Sequence, residues 1–171
     1  MEAEAPAAQS WSADVPPWYL NPPEDDGNIY GIGSAKLARP ERSQSAAENR
    51  ARTSLAFQLE ALVDAMETDY YNEAGTIKDA AVAESFEAVS RQLASARVSG
   101  AKVTERKVGS DGTVYALVAY SQAAAKEDIT KRLIETAASK NARIKTDAVL
   151  KAMDEALKNK SSPEPVDTGG E

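Results

Sequence analysis

One stretch decides the fold: Asn28-Ile-Tyr-Gly-Ile-Gly-Ser-Ala-Lys36. Its alternation predicts a β-strand with two unlike faces, because successive side chains of a strand point in opposite directions. Tyr30, Ile32 and Ser34 fall on one face, whereas Gly31, Gly33 and Ala35 fall on the other. Three small residues in succession on one face leave room for the backbone of another element, which must lie very close to it.

A long helix is predicted next, from about Glu41 to about Tyr71. Its apolar residues recur at steps of three and four and form one stripe: Ala47, Ala51, Leu55, Leu59, Leu62, Met66 and Tyr70. The stripe begins with alanines, which permit close backbone contact, so we expect the glycine face of the strand to lie against them. Gly75 is a natural stop for this helix.

The rest of the chain predicts a second helix, a hairpin and a helical end. The second helix runs from about Lys78 to Ala96. Two strands follow, at about 98–108 and 113–121, and Gly109-Ser-Asp-Gly112 between them is typical of a tight hairpin turn. The later strand is apolar on both faces and is expected in the centre; the charged earlier strand is expected at an edge. Residues 123–159 are helical, as one helix or two. The expected fold class is α+β, a short antiparallel three-stranded sheet packed by long helices in the order β-α-α-β-β-α.

The predicted organisation is one domain between two polar ends. Residues 1–14 are expected to form a disordered tether, 15–159 a single α+β domain, and 160–171 a disordered tail. Within the domain, Val15-Pro-Pro-Trp-Tyr-Leu-Asn-Pro-Pro23 is expected to be extended, since four prolines in nine residues disfavour a helix. Trp18 and Leu20 have the bulk to pin this segment onto the domain.

Composition excludes several classes of function. The 171 residues include no Cys and no His, which removes disulfides, Cys/His zinc sites and imidazole catalysis. A net charge of −7 disfavours a nucleic-acid partner. We therefore predict a chain that is not an enzyme and that has no catalytic residues and no cofactor.

Two motifs suggest ligands but have simpler explanations. The pair Gly31-Ile-Gly33 lacks both a third glycine and an immediately following helix, as a dinucleotide-binding loop requires, so close packing explains it better. The acidic side chains Glu60, Asp64 and Glu67 are interpreted as a solvated helix face, and no metal site is expected.

Several motifs in a fixed order resemble the twenty-kilodalton outer-membrane lipoprotein family of bacteria. They are Pro17-Trp-Tyr-Leu-Asn-Pro-Pro23, Tyr30-Gly-Ile-Gly-Ser-Ala35, Ala46-Ala-Glu-Asn-Arg-Ala-Arg-Thr-Ser-Leu-Ala56 and Gly112-Thr-Val-Tyr-Ala-Leu-Val-Ala-Tyr120. The resemblance covers roughly residues 16–157. It implies a signal peptide, a lipidated N-terminal cysteine and anchorage in the bacterial envelope, at the outer membrane with the domain facing the periplasm. It also implies envelope or flagellar-base proteins as partners. The chain departs from the family in having no cysteine to carry the lipid. If Met1 is the native start, the implied lipidation is wrong and the sequence predicts a soluble cytoplasmic protein. If a signal peptide and a lipidated cysteine precede Met1, residues 1–14 form a spacer that lifts the domain from the bilayer.

Two surfaces are candidate partner sites. Phe57 lies away from the apolar stripe of the long helix; burial under the second helix is the favoured expectation, and exposure would mark a partner surface. Lys102, Thr104 and Arg106 lie on the predicted edge strand. Homo-oligomerisation is left open.

A second hypothesis is a small-ligand carrier. Its candidate residues are the aromatics Trp18, Tyr30, Tyr115 and Tyr120, which lie near one thin sheet and which otherwise serve packing. It requires an apolar cavity. A hydrolase, the weakest hypothesis, would need carboxylates that converge in a cleft.

Overall fold

The computed structural model describes residues 14–95, 98 and 100–160, and these form an α+β domain. In chain order the elements are α1 (Pro17–Leu20), β1 (Asn28–Ala35), α2 (Pro40–Ala74), α3 (Ala80–Ser95), β2 (Lys102–Val108), β3 (Val114–Ser121), α4 (Gln122–Ser139) and α5 (Thr146–Lys160). The predicted class and the order of the strands and main helices are confirmed. The short α1 is a difference, and residues 123–159, for which one helix or two were expected, form the two helices α4 and α5. The expected tether and tail lie outside the described residues, apart from Asp14 and Lys160.

The sheet is antiparallel with the order β1-β3-β2. As predicted, the apolar strand β3 is central and the charged strand β2 is at an edge. Residues 109–112 close the β2–β3 hairpin, with Gly112 at φ 86°, a conformation that glycine adopts without steric cost.

The glycine face of β1 lies directly on α2, as the sequence predicts. A Cβ atom added to Gly31 would lie 2.2 Å from the carbonyl oxygen of Ala51, and one added to Gly33 would lie 2.3 Å from that of Ala47. Both distances are far below any real carbon–oxygen contact. Glycine is therefore required here because the backbones of the strand and the helix touch.

Helix α2 is the central support of the domain. Its 35 residues contact the sheet, α3 and α5, while α4 packs mainly on α3. Large, fully buried side chains come from the four long helices and the central strand β3: Leu55, Leu59, Val63, Met66, Phe86, Val89, Val118, Ile129, Leu133, Val149 and Met153. Burial of these side chains supplies the main driving force for folding.

Residues 140–145 separate α4 from α5, which resolves the alternative that the sequence left open. Asn141 has φ 56°, and the amide of Ala142 donates to the carbonyl of Ala137 at 2.8 Å while that of Asn141 donates to Ala138 at 3.1 Å. This is the Schellman ending of a helix, for which asparagine is the usual substitute for glycine. The end of α2 at Gly75, with φ 62°, is as predicted.

The proline-rich segment corrects one expectation. Residues 17–20 form a single helical turn rather than an extended strand, because Pro17 occupies the first helical position, where its missing N–H costs nothing. Leu20 is 63% exposed and does not pin the segment. Tyr19 does so instead: its ring packs edge-on against Tyr115 with centroids 5.0 Å apart, and its hydroxyl is 2.9 Å from Ser34 Oγ.

Candidate interaction surfaces

Phe57 lies in the middle of the face of α2 that points away from the core. The buried stripe of α2 includes Leu55, Leu59 and Leu62, and at 100° per residue Phe57 falls opposite to it. The side chain is 58% exposed. Burial under the second helix is therefore wrong: α3 packs on α2 and reaches Asp64 through Ser90, but it does not cover Phe57.

The residues above and below Phe57 define an exposed strip that we call the Phe57 face. It consists of Arg50, Thr53, Phe57, Ala61, Asp64 and Thr68, all of them exposed. Arg50 donates from Nη1 to the carbonyl oxygen of Ser34 at 2.6 Å, and Asp64 accepts a hydrogen bond from Ser90 Oγ at 2.9 Å. The strip is therefore basic towards the start of α2 and acidic towards its end, with an aromatic ring between.

The second candidate surface, on β2, does not form one patch. The pairing of β2 with β3 is irregular between Val103 and Glu105, which is the signature of a β-bulge at Thr104. Thr104 Oγ1 donates to the carbonyl of Leu117 at 3.4 Å, whereas Lys102 is exposed. A bulge and charged side chains both hinder the addition of another strand at this edge.

Arg106 turns towards α2 and pairs with Glu48. Its Nε atom lies 2.7 Å from Glu48 Oε1. Partial burial by itself raises the pKa of Glu48, but hydrogen bonds from Arg106 and Gln44 and the charges of Arg106 and Arg52 outweigh it, so that the net pKa is lowered. Arg106 therefore joins an edge strand to the central helix, where Arg52 also lies 3.8 Å from the Glu48 carboxylate.

The other edge of the sheet, β1, is shielded by side chains of α2. Gln58 donates from Nε2 to the carbonyl of Tyr30, and Arg50 donates to that of Ser34. Two backbone acceptors that an added strand would need are thus already in use. Strand addition is hindered at both edges, and the Phe57 face is the better-formed contact surface.

The four candidate aromatics do not line one cavity. Tyr115 lies on the same sheet face as Ser34. Trp18 lies on this side as well, because its ring contacts that of Tyr19, with the two ring centroids 6.4 Å apart, and Tyr19 packs on Tyr115. Tyr120 is on the opposite face, under the helices, where burial raises its pKa. The odd spacing of Tyr115 and Tyr120 in one strand already implied opposite faces.

Tyr30 contributes to a separate cleft of about 200 Å³. Its lining residues come from four segments: Pro22, Pro23, Glu24, Asp25, Ile29, Tyr30, Gln58, Gln122, Leu157 and Lys160. The Tyr30 hydroxyl donates to Asp25, which is the main reason that the pKa of Asp25 is lowered and that of Tyr30 is raised. Lys160 Nζ donates to Gln58 Oε1 at 2.8 Å, and desolvation lowers its pKa. Sequence reasoning missed Gln58 and Lys160, since no local pattern marks them.

A shallow apolar groove of about 560 Å³ lies between α4 and α5. Ile134 and Leu150 form its walls and are 40% and 39% exposed. Thr130 lies at its base, and its hydroxyl is the one buried side-chain polar atom of the described residues that lacks a hydrogen-bond partner. The signal in the sequence was Ile134, an apolar residue directly beside the buried Leu133.

Asp64 and Glu67, two of the acidic residues of α2, have separate partners. Asp64 accepts a hydrogen bond from Ser90 Oγ, and the Glu67 carboxylate lies 3.7 Å from Lys78 Nζ. Across residues 14–95, 98 and 100–160, no three Asp or Glu side chains are placed to hold a metal ion. The helices of those same residues include none with the length and apolar character needed to cross a membrane.

Comparison of the chain with models of protein families and with curated proteins gave no significant match. The motifs behind the resemblance have clear structural roles. The Tyr30–Ala35 motif is β1, and Ala46–Ala56 is the part of α2 on which β1 lies. These two motifs therefore encode a close backbone contact between a glycine-bearing strand and an alanine-bearing helix.

Proposed function

We propose that this chain is a non-catalytic interaction domain of the bacterial envelope, anchored by an N-terminal lipid and binding other proteins of the envelope or flagellar base. The interaction part rests on one observation, the 58% exposure of Phe57 at the centre of the outward face of α2. A large aromatic side chain left in water loses the free energy that burial would provide. A protein partner that covers it recovers that free energy.

The chemistry of the chain supports a binding role over a catalytic one. No imidazole or thiol is present in the sequence, so a catalyst would have to use carboxylates, hydroxyls or amines. Among the described residues, Glu60, Asp64 and Glu67 of α2 form no group that could hold a metal ion, and Asp64 and Glu67 are engaged by Ser90 and Lys78. Envelope anchorage rests on the resemblance of residues 16–157 to the lipoprotein family.

Photo-crosslinking in intact envelopes tests the proposal. We expect p-benzoylphenylalanine at position 57 to capture a protein, because the reactive group would lie inside the contact. Ile77 provides a matched control: it is apolar and 92% exposed, and it lies in the loop between α2 and α3. No crosslink from position 57, or equal crosslinks from both positions, would contradict a specific contact.

The anchorage has its own test. The reading frame upstream of Met1 should encode a signal peptide that ends in a lipid-accepting cysteine. Recovery of the native protein in the aqueous fraction, without a membrane-bound pool, would contradict the anchorage while leaving the contact at Phe57 to be tested separately.

The cleft beside Tyr30 favours a second candidate function, the binding of a small carboxylate. Lys160 Nζ donates to the amide oxygen of Gln58 at 2.8 Å rather than to a carboxylate, and its side chain is exposed, so a small anion that enters the cleft can pair with the ammonium group. Backbone NMR with acetate, succinate or L-alanine at roughly 10 mM should shift residues 30, 58 and 160. The shifts should be lost in Lys160→Met and kept in Lys158→Met, a neighbouring lysine that pairs with Glu155. Spectra unchanged by all three ligands would remove this candidate.

A further inference from the structure

The charges of the Phe57 face are symmetric about Phe57. Arg50 lies seven residues before Phe57 and Asp64 seven residues after it. Seven residues are close to two turns of an α-helix, so the three side chains lie almost on one line along α2. The next pair on the strip, Thr53 and Ala61, is also symmetric, at four residues on either side.

This symmetry makes the face complementary to itself when two helices run antiparallel. A two-fold axis through Phe57 brings each residue opposite the one at the same distance on the other side in the second copy. Arg50 of one copy then faces Asp64 of the other, twice in the complex. Further along the strip, Asn49 faces Ala65 and Ala46 faces Thr68, so that no like charges oppose each other.

The side chains beside Phe57 also permit close approach. Thr53 and Ala61 are short, which lets two helices approach to the usual interaxial distance of about 8–10 Å while the two Phe57 rings bury each other. Arg50 is held at the surface by its hydrogen bond to the Ser34 carbonyl, and Asp64 by that from Ser90. Both charged groups are thus oriented before association, which reduces the entropy lost on binding.

We propose that two copies of this chain associate through the Phe57 face, with antiparallel α2 helices, the Phe57 rings at the two-fold axis, and Arg50 of each copy opposite Asp64 of the other. This inference rests on the proposed interaction function and identifies the partner at that surface as a second copy. The contact is a single helix pair, so the dimer is weak in dilute solution. Anchorage on one membrane would raise the effective concentration of the two copies and favour it.

Sedimentation equilibrium of the full chain tests the dimer by charge reversal. Arg50→Glu makes the strip acidic at both ends, and Asp64→Arg makes it basic at both ends. Because like charges then face each other across the two-fold axis, each variant alone should dimerise at least about tenfold more weakly than the wild type. Mixing the two variants should restore association as a heterodimer, and so should the double reversal R50E/D64R within one chain.

Restoration separates a direct contact from a folding defect, since a misfolded variant is not rescued by mixing. Arg143→Glu, a reversal of an exposed charge in the loop between α4 and α5, is the matched control and should leave the dissociation constant unchanged. A wild-type chain that stays monomeric up to about 1 mM, or single variants that neither weaken nor rescue association, would overturn the proposal. If position 57 then crosslinks to a different protein, the proposed interaction function still stands. If position 57 crosslinks to no protein, the dimer and the interaction function are both wrong.

Discussion

At the scale of single residues, Gly33 is the position with the least freedom to change. A Cβ atom there would lie 2.3 Å from both the carbonyl oxygen of Ala47 and the amide nitrogen of Ala51. Because both atoms belong to the backbone of α2, no side-chain rotation can relieve the overlap. The strand and the helix would have to separate along their whole contact.

We therefore expect Gly33→Ala to lower the free energy of unfolding by about 3 kcal/mol or more, at the upper end of what overpacking costs. Gly27→Ala is the control, since the nearest atom to its added Cβ is Asp25 Oδ1 at 3.4 Å, and its cost should stay within about 0.5 kcal/mol. Urea unfolding followed by circular dichroism measures both. Equal stability of the two variants would show that the close contact of β1 and α2 does not exist.

At the scale of elements, the pair Arg106–Glu48 connects β2 to α2. The lowered pKa of Glu48 means that the pair stabilises the fold fully above the ordinary carboxyl pKa of 4.5, and that this stabilisation is lost as the pH falls through the lowered value. Arg106 is half exposed, so screening by solvent weakens its charge-assisted hydrogen bond to Glu48.

We expect Arg106→Gln to cost about 1 kcal/mol at pH 7 and less at pH 3, because protonation of Glu48 as the pH falls through its lowered pKa weakens the pair. Arg91→Gln removes the pair Arg91–Glu87, both of whose side chains are well exposed, and should cost less than about 0.5 kcal/mol at either pH. Urea unfolding at the two pH values gives the comparison. A cost for Arg106→Gln that does not change with pH would assign the effect to packing instead of charge.

At the scale of the whole molecule, the segment around Tyr19 covers the face of the sheet that the long helices leave open. Leu117 of β3 lies on this face and is nevertheless buried, and α1 packs against β3. The two faces are therefore covered by very different elements, one by long helices and the other by a single helical turn and its flanking prolines.

Removing the Tyr19 ring should destabilise the domain more than removing its neighbours in sequence. We expect Tyr19→Ala to cost about 2–3 kcal/mol, Tyr19→Phe about 1 kcal/mol through the lost contact with Ser34, and Leu20→Ala less than about 0.5 kcal/mol because Leu20 is largely exposed. The fluorescence of Trp18, which contacts Tyr19, should report the release of the segment. A larger loss for Leu20→Ala than for Tyr19→Ala would contradict this packing.

The candidate site was only partly predictable, and Phe57 shows why. Its place off the apolar stripe follows from the helical period, but whether a residue off the stripe is covered depends on which flank of α2 receives α3. The cleft around Tyr30 shows the same limit, because Asp25, Gln58 and Lys160 are distant in the chain and only folding brings them together.

The sequence by itself determined the three strands, the long helix α2 and the close contact between β1 and α2. Glycine and alanine at Gly31, Gly33, Ala47 and Ala51 specify where β1 and α2 touch, and Gly75 specifies where α2 ends, since these outcomes depend on steric limits of the local backbone. Only the tertiary structure decided that Phe57 stays exposed, that Tyr19 rather than Leu20 clamps the sheet, and that Arg50 and Asp64 are held by Ser34 and Ser90. Those outcomes depend on how distant elements pack over one another, and no local period of the chain records that packing.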